Sequence, residues 1–295
     1  MTTTSARRVP VRQAATVMLV RDTPSQQLEV FMLRRHPGAV FAPGAYVFPG
    51  GAVDADDASV AVVGRTRENA EALMGRHRAL DHFVAAARES FEEAGFLITN
   101  RVSPELLATR DALNAGEQRF GEVLASHGAA VDVGAMHVFA HWRTPVGAPR
   151  RFDTWFFVAA APRDQIGAHD ETETVHSEWI RPSEMLRRWR LGDVDLVFPT
   201  MRTIRVLAQF PTTGSFLSAV RATEGDANGG APSVVDDSSG QRIALDDDER
   251  ATAPRGWRPL RSRWRTDARQ EAIDRAESGA DSGAGADEGV GEGAA

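Results

Sequence analysis

Segments with the apolar pattern of β-strands lie before, between and after helical segments along residues 10–210, and this order limits the possible folds. Such interleaving is typical of α/β domains. The sequence therefore predicts an α/β domain with mixed β-sheets. The predicted strands are 14–22, 28–36, 46–48, 135–144, 150–161 and 174–180, and the predicted helices are 81–94, 183–192 and 198–210.

Charge and residue types exclude several classes of function. A net charge of -7 argues against a nucleic-acid partner held by bulk electrostatics, because phosphate backbones require a basic surface. The chain has no cysteine, which excludes disulfides, cysteine–zinc sites and cysteine nucleophiles. No apolar stretch reaches the roughly 18–20 residues that span a bilayer, and the run 14–20 lacks a cleavage pattern. We expect a soluble, cytoplasmic protein without nucleic-acid or membrane partners; the oligomeric state stays open.

The composition changes after about residue 220. Residues 221–295 are rich in Gly, Ala, Asp, Glu and Ser, and such a segment cannot bury enough apolar surface to offset the entropy lost on ordering. We therefore expect a folded domain over residues 10–220, followed by a mostly disordered acidic tail. Within this tail, residues 255–278 form a basic island with two tryptophans, which either docks on the body, binds a partner or is a loose segment.

Three glutamates, Glu89, Glu92 and Glu93, lie within five positions of one predicted helix. Positions i, i+3 and i+4 share a helix face, about 5–6 Å apart, so these carboxylates repel one another unless cations neutralise them. Clustered hard oxygen atoms suit Mg²⁺ or Mn²⁺. An ordinary solvated helix face is the alternative, and for an acidic cluster taken alone it is the commoner one. Asp81 is predicted to cap the start of this helix and Gly95 to end it.

The segment RESFEEAGF, Arg88 to Phe96, resembles the second half of the Nudix box, Gly-x5-Glu-x7-Arg-Glu-U-x-Glu-Glu-x-Gly-U, where U is bulky and apolar. Ser90 stands at the first U position. The first half resembles GAVDADD, Gly51 to Asp57, with Asp57 in place of the glutamate. The usual gap of seven residues is expanded to the insertion 58–87, which is either a substrate lid or inert decoration. Resemblance to the Nudix hydrolases covers roughly residues 10–210 and implies an α/β/α sandwich with mixed β-sheets.

Segments outside the box resemble the acyl-CoA diphosphatase branch of this family, in which the box is expanded. They are FAPGAYVFPGG (41–51), HWRTPVGAPRRFDTWFFVA (141–159) and ETETVHSEWIRPSEML (171–186). A motif of CoA-cleaving members places an arginine ahead of Gly-x3-Phe-Pro-Gly-Gly. The chain matches from Gly44 to Gly51 but has Val40 at the arginine position, and Arg34 or Arg35 is the candidate replacement.

The resemblance implies metal-dependent hydrolysis of a diphosphate that links a nucleoside to another group, with Mg²⁺ or Mn²⁺ as cofactor. Glu89, Glu92 and Glu93 are the implied metal ligands, and Arg88 orients one of them. The implied general base is one of the box glutamates, with Glu92 and Glu93 as catalytic candidates. Glutamates of a later loop, Glu173 with Glu171 as its alternative, are the other candidates.

Four further residues are candidates for binding the substrate. Gly50 and Gly51 let the backbone approach the diphosphate closely, as a bulkier residue would not. Arg34 replaces the expected arginine, and Arg151 is a candidate for the adenosine or its 3′-phosphate. For Arg151 the alternative is a surface ion pair.

The first expectation for the substrate is CoA or acyl-CoA, cleaved to (acyl-)4′-phosphopantetheine and 3′,5′-ADP. ADP-ribose or NADH is the alternative within the same chemistry. A non-catalytic ligand sensor with the Nudix fold is the alternative of a different class. Retention of all three glutamates in the second half of the box counts against the sensor.

Overall fold

The computed structural model describes residues 10–144, 150–224, 233–235 and 242–244. Its strands are β1 (Val11–Asp22), β2 (Leu28–Arg35), β3 (Tyr46–Val47), β4 (Gly50–Ala52), β5 (Val62–Val63), β6 (Val131–Asp132), β7 (Met136–Arg143), β8 (Arg151–Ala160), β9 (Thr174–Ile180), β10 (Ser233–Val235) and β11 (Arg242–Ala244). Its helices are α1 (Arg67–Met74), α2 (Ala79–Ala94), α3 (Pro104–Leu107), α4 (Arg110–Asn114), α5 (Phe120–Ser126), α6 (Pro182–Leu191), α7 (Phe198–Leu207) and α8 (Thr213–Glu224).

Strand β1 organises the main sheet because three strands pair with it. It runs parallel to β8 from Val11 to Val20, while its first half pairs antiparallel with β4 and its last residues with β2. The strand order is β11-β10-β7-β8-β1-β2-β3, with β9 beside β2, and β5 and β6 form a separate parallel pair. On one side of β1 the sheet has two partners, β4 beside its first half and β2 beside its end. The short strand β4 thereby places the backbone of Gly50 and Gly51 next to the first half of β1.

Helices cover both faces of this sheet. On one face, Phe83 of α2 packs on Phe157 of β8 with ring centroids 4.4 Å apart. On the other face, Phe216 of α8 packs on Phe139 of β7 at 5.7 Å. Burial of these aromatic rings contributes to the free energy that holds the three layers together. The expected α/β/α sandwich with a mixed sheet is confirmed.

Helix α2 begins two residues earlier than predicted. Its first residue is Ala79, and Arg78 precedes it with a left-handed φ of 58° and no side-chain cap. The prediction that Asp81 caps the helix is therefore wrong: Asp81 lies in the first turn and accepts a hydrogen bond from Arg78 Nε. At the other end, Gly95 has φ 74° and its N–H donates to the carbonyl of Phe91, as the prediction of a glycine stop requires.

Much of the insertion 58–87 belongs to the core. Residues 79–87 are the first turns of α2, in which Phe83 and the three alanines 85–87 are fully buried. Ahead of them, Ala70 and Met74 of α1 join the same core cluster. Residues 79–87 therefore match neither a mobile lid nor inert decoration, because removing them would take away apolar surface from beneath the sheet.

The five main strands agree with the predicted segments, but the helices α1, α3, α4, α5 and α8 were not predicted. Helix α8 runs to Glu224, so the domain boundary predicted at residue 220 falls inside it. The strands β10 and β11 lie in the segment for which disorder is predicted. The rest of that tail, including the Arg/Trp island 255–278, lies outside the described residues.

None of the helices in the described ranges is both long enough and apolar enough to cross a bilayer. The cytoplasmic location and the absence of a nucleic-acid partner stay predictions from the sequence.

Candidate active site

A cleft of about 320 Å³ lies between the C-terminal half of α2, the residues that follow β4, and the loop ahead of β9. Acidic side chains dominate its lining within the part of the chain that the structure describes. The carboxylates are Asp54, Asp56, Asp57, Glu89, Glu92, Glu93, Asp170 and Glu173, and the arginines are Arg88 and Arg119.

Arg88 holds three of the carboxylates of the cleft in position through hydrogen bonds. Its Nε donates to Asp57 Oδ1 at 3.0 Å, and its Nη1 donates to Glu89 Oε1 and to Glu92 Oε2, each at 2.9 Å. Its Nη2 donates to the carbonyl of Ala52 at 2.8 Å. Burial lowers the pKa of Arg88, but the surrounding carboxylates outweigh that effect and raise it. The guanidinium is thus permanently charged and joins the two halves of the motif across 31 positions of sequence.

Strand β4 lies so close to β1 and α2 that its two glycines have no free space for a side chain. The N–H of Gly50 donates to Glu93 Oε2 at 2.9 Å. A Cβ on Gly50 would lie 2.6 Å from Thr16 Cα, and one on Gly51 would lie 2.6 Å from Glu89 Cδ. The backbone of β1 therefore requires glycine at position 50, and a side chain at position 51 would displace the carboxylate of Glu89, before any substrate is considered.

Nearby positive groups compensate only part of the negative charge of Glu89, Glu92 and Glu93. Burial, with repulsion from Glu92, raises the pKa of Glu89 to about 7, although Arg88 opposes the shift. Burial also raises the pKa of Glu92, and burial together with repulsion from Glu89 raises that of Glu93 well above its usual value. A shift of this sign means that the charged forms are destabilised where they stand. A bound cation would lower these pKa values again, because it favours the ionised carboxylates.

The donor set fits a hard divalent cation in chemistry, although it is not a finished ligand set. Within residues 10–144 and 150–224, no three carboxylate or imidazole groups converge as metal ligands. One oxygen of each box glutamate is engaged by Arg88 or by the Gly50 N–H. Each carboxylate has a second oxygen, and these oxygens belong to the ligand type that Mg²⁺ and Mn²⁺ prefer. Glu89, Glu92 and Glu93 are the residues that would hold the ion.

A tight loop places Glu173 beside these glutamates. Asp170 accepts from the N–H of Glu173 at 3.0 Å and from the N–H of Thr174 at 2.9 Å. Glu173 lines the cleft, and its charge is felt by both Glu89 and Glu93. Glu171 adopts a left-handed φ of 66° and does not line the cleft. Of the two predicted loop glutamates, the fold brings only Glu173 to the acidic cluster.

Comparison with known proteins agrees with this geometry. A family model described as the NUDT19 Nudix domain matches residues 65–207, which contain Arg88 and the three glutamates of α2. The crystal structure of a Nudix hydrolase from Alicyclobacillus acidocaldarius matches with a TM-score of 0.57 and 27% identity, over 72% of this chain and 97% of that one. Residues 65–207 of this chain match the Nudix hydrolase family.

Within the Nudix family, the curated relatives point to one branch. The acyl-coenzyme A diphosphatase NUDT19 of Homo sapiens is 28% identical over 64% of this chain and 63% of its own length. The protein of the same name from Gallus gallus is 26% identical over 72% of this chain and 73% of its own length. This chain thus spans less than two thirds of the human relative, and the activity in that name is the relative's.

The expanded Nudix box closes in space as a compact motif. Asp57, at the position of the first glutamate, is 2% exposed and reaches Arg88 although its side chain is one carbon shorter. Ser90, at the first apolar position of the second half, is fully buried and donates to the carbonyl of Phe96 at 2.9 Å. That hydrogen bond ties the turn after Gly95 to the helix.

Two predicted substrate-binding arginines do not line this Nudix cleft. Arg34 Nε donates to the carbonyl of Gly44, and Arg151 Nε donates to the carbonyl of Thr144. A register shift between Arg34 and Arg35 separates the two neighbours, and it is Arg35 whose Nη2 lies 3.9 Å from Glu173 Oε2. Substrate contacts by Arg34 and Arg151 stay predictions that the cleft geometry does not favour. Val40, at the position of the missing arginine, is 76% exposed.

One wall of the cleft comes from helices that the sequence analysis did not predict. Arg110 and Asn114 of α4 both donate to the carbonyl of Glu92, which supports the end of α2. Arg119, just before α5, donates to Asp56 at 2.6 Å. Local signals for a helix are present, such as Ser103 capping α3 through the N–H of Leu106. No local signal shows that this region faces the Nudix box.

Proposed function

We propose that this chain hydrolyses the diphosphate bond of a nucleoside-diphosphate-linked substrate, with CoA or acyl-CoA as the substrate. One observation carries the proposal: Glu89, Glu92 and Glu93 lie on one face of α2, in a cleft that also contains Glu173 and borders the glycine strand β4. Burying so many like charges is unfavourable, and a cation with an anionic substrate offsets that cost.

The proposed cofactor is Mg²⁺ or Mn²⁺, held by Glu89, Glu92 and Glu93. Such an ion, when bound, neutralises phosphate oxygens and makes an attacking water more acidic. Arg88 keeps Glu89 and Glu92 in position through hydrogen bonds of 2.9 Å, so their oxygens do not have to be ordered when the substrate arrives. This preorganisation lowers the reorganisation that the transition state requires.

Two groups are suited to accept the proton of the attacking water. Glu173 has a 65% exposed side chain, so water reaches it, and it lies near the charge of Arg35. Glu93 is buried, and the Gly50 N–H fixes its carboxylate. We assign the general base to Glu173 and a ligand role to Glu93, because a base must exchange protons with solvent after each turnover.

The choice of CoA rests on the resemblance to proteins named acyl-coenzyme A diphosphatase. In the proposed reaction, (acyl-)4′-phosphopantetheine and 3′,5′-ADP are the products, and the cytoplasm is the proposed location. Val40 at the position of the expected arginine makes a direct comparison with ADP-ribose and NADH necessary.

The test is a hydrolysis panel of CoA, acyl-CoA, ADP-ribose, NADH and nucleoside triphosphates, each with Mg²⁺ and with Mn²⁺. We expect the highest kcat/KM with CoA or an acyl-CoA. Glu92→Gln and Glu93→Gln should each lower turnover at least about a hundredfold, since each removes a proposed metal ligand. Glu68→Gln, on the exposed side of α1, is the matched control and should retain the full rate. No turnover of any compound with either ion would refute the proposed activity.

A further inference from the structure

Positive charge in the cleft is scarce and unevenly distributed. Eight carboxylates line the described part of the cleft against two arginines. All three nitrogens of Arg88 donate to carboxylates or to the Ala52 carbonyl. Arg110, which lies nearby, donates to the carbonyls of Glu92 and Ala168. Both guanidinium groups already donate to protein acceptors, so neither is well placed to bind an anionic substrate.

Arg119 differs from both because its partner is exposed and easily exchanged. Its Nη1 lies 2.6 Å from Asp56 Oδ2, and the two side chains are 67% and 63% exposed. An exposed ion pair of this kind contributes little to the stability of a fold, because water solvates both ends almost as well. Both residues line the cleft. The arginine therefore stands at the solvent side of the acidic site with a weakly held counterion.

We propose that Arg119 is a substrate-binding residue that exchanges Asp56 for a phosphate group of the substrate. A guanidinium matches phosphate with two parallel N–H donors, and a phosphate carrying more than one negative charge attracts it more strongly than a single carboxylate does. Asp56 then acts as an internal competitor that occupies Arg119 in the absence of substrate. The inference rests on the proposed diphosphatase function and names a specificity residue for it.

Because Asp56 competes with the substrate for Arg119, changes at these two residues should shift KM in opposite directions. Arg119→Gln should raise KM about tenfold or more, the loss expected for a hydrogen bond to a charged group, with kcat changed less than twofold. Arg119→Lys should recover part of that loss, because it keeps the charge without the planar fork. Asp56→Asn should lower KM, because it removes the group that competes with phosphate. Arg187→Gln is the matched control, since Arg187 is 57% exposed, pairs with Glu184 at 2.8 Å and lies outside the cleft, and it should leave KM unchanged.

Each outcome decides the matter. If Arg119→Gln and Asp56→Asn both raise KM, the pair is a structural clip and the inference fails. If neither variant changes KM, it fails as well. A larger loss with CoA than with dephospho-CoA would place Arg119 at the 3′-phosphate, and an equal loss would place it at the diphosphate; either result supports the inference.

Calorimetric binding of 3′,5′-ADP in the presence of Mg²⁺ separates this inference from the proposed function. A wild-type protein that turns over no compound but binds 3′,5′-ADP more tightly than Arg119→Gln would refute the activity and keep the phosphate contact. A wild-type protein that hydrolyses CoA with the same KM as Arg119→Gln would keep the activity and refute the contact. Absence of both turnover and binding would refute both.

Discussion

Gly50 and Gly51 are neighbours whose replacement by alanine should have different consequences. A Cβ at position 50 meets the backbone of β1, 2.6 Å from Thr16 Cα, which cannot move without disturbing the sheet. A Cβ at position 51 meets the carboxylate end of Glu89, a side chain that can be displaced without moving the backbone, but with loss of its hydrogen bond to Arg88. Gly50→Ala should therefore destabilise the fold by about 1–3 kcal/mol, the usual range for overpacking. Gly51→Ala should destabilise the fold less than Gly50→Ala does and should lower turnover, because it displaces a proposed metal ligand rather than the backbone.

Thermal melts and steady-state rates on the two variants check this contrast. Gly214→Ala is the matched control: a Cβ there meets only Thr212 Oγ1, at 4.0 Å, and alanine is the better helix former in α8. It should melt at or slightly above the wild-type temperature. Equal losses of stability in Gly50→Ala and Gly51→Ala would mean that displacing Glu89 costs as much as disturbing the backbone of β1.

The loop ahead of β9 is the element that places the proposed base. Asp170 Oδ2 accepts from the N–H of Glu173, while Oδ1 accepts from the N–H and the hydroxyl of Thr174. In Asp170→Asn the amide retains one acceptor for Thr174 but presents a donor to the N–H of Glu173. We expect kcat to fall about tenfold, part of the typical contribution of a general base, with KM within about twofold and little change in melting temperature.

Kinetics of three variants test this assignment of the loop. Glu173→Gln removes the carboxylate altogether, so its loss of kcat is the upper limit for any misplacement of that group. The loss of kcat in Asp170→Asn should not exceed this limit. Asp164→Asn changes an exposed aspartate of the same connection outside the cleft and is the control. If Asp170→Asn retains the wild-type kcat while Glu173→Gln loses it, the loop geometry has no part in catalysis. Full activity of Glu173→Gln would move the base to the box glutamates.

Elements differ in how far local sequence determines them. The end of α2 and its three glutamates follow from short-range spacing, and Gly95 stops the helix where the pattern predicts. Helix α8 was missed because Gly214 and two nearby threonines are weak helix formers. Its stability comes from tertiary contacts, such as Glu224 accepting from the backbone N–H of Val138 at 2.7 Å. Such contacts cannot be deduced from propensity or periodicity.

The same limit applies to the candidate site. Arg88, the glutamates and the two glycines were found because their spacing carries the motif, and Glu173 was found as one of two loop candidates. Asp170 and Arg119 were not, since their importance depends on what lies opposite them in the fold. Arg34 was chosen over Arg35, but it is Arg35 whose guanidinium lies near Glu173, at 3.9 Å. The catalytic and binding roles of all these residues stay predictions until the variants are measured.

His82 should make the stability of the whole domain depend on pH. Its imidazole is 2% exposed, and burial, with repulsion from Arg76, lowers its pKa from 6.5 to about 4. Between these two values the unfolded chain binds a proton that the folded protein does not. The free energy of unfolding should therefore be constant above pH 6.5 with respect to this group, and decrease by at most about 3 kcal/mol as the pH falls to 4.

Denaturant melts of the wild type and of His82→Gln between pH 7 and pH 4 measure this term. The variant should lose a smaller part of its stability over that range than the wild type. His77→Gln is the control, because His77 is 97% exposed and should leave the slope intact. Parallel curves for wild type and His82→Gln would show that the imidazole is protonated in the folded state.

The ion pair between Asp57 and Arg88 has a consequence for how such proteins diversify. Because it joins the two halves of the box directly, the length of chain between them is not fixed by the chemistry. Growing that loop from seven residues to the thirty of positions 58–87 is about two doublings, and closing it costs about 1.2 kcal/mol more. Packing of α1 and the first turns of α2 easily offsets this. An insertion at this place can therefore be accommodated without losing the contact between Asp57 and Arg88, and a sequence search that requires a contiguous box would miss a chain of this kind.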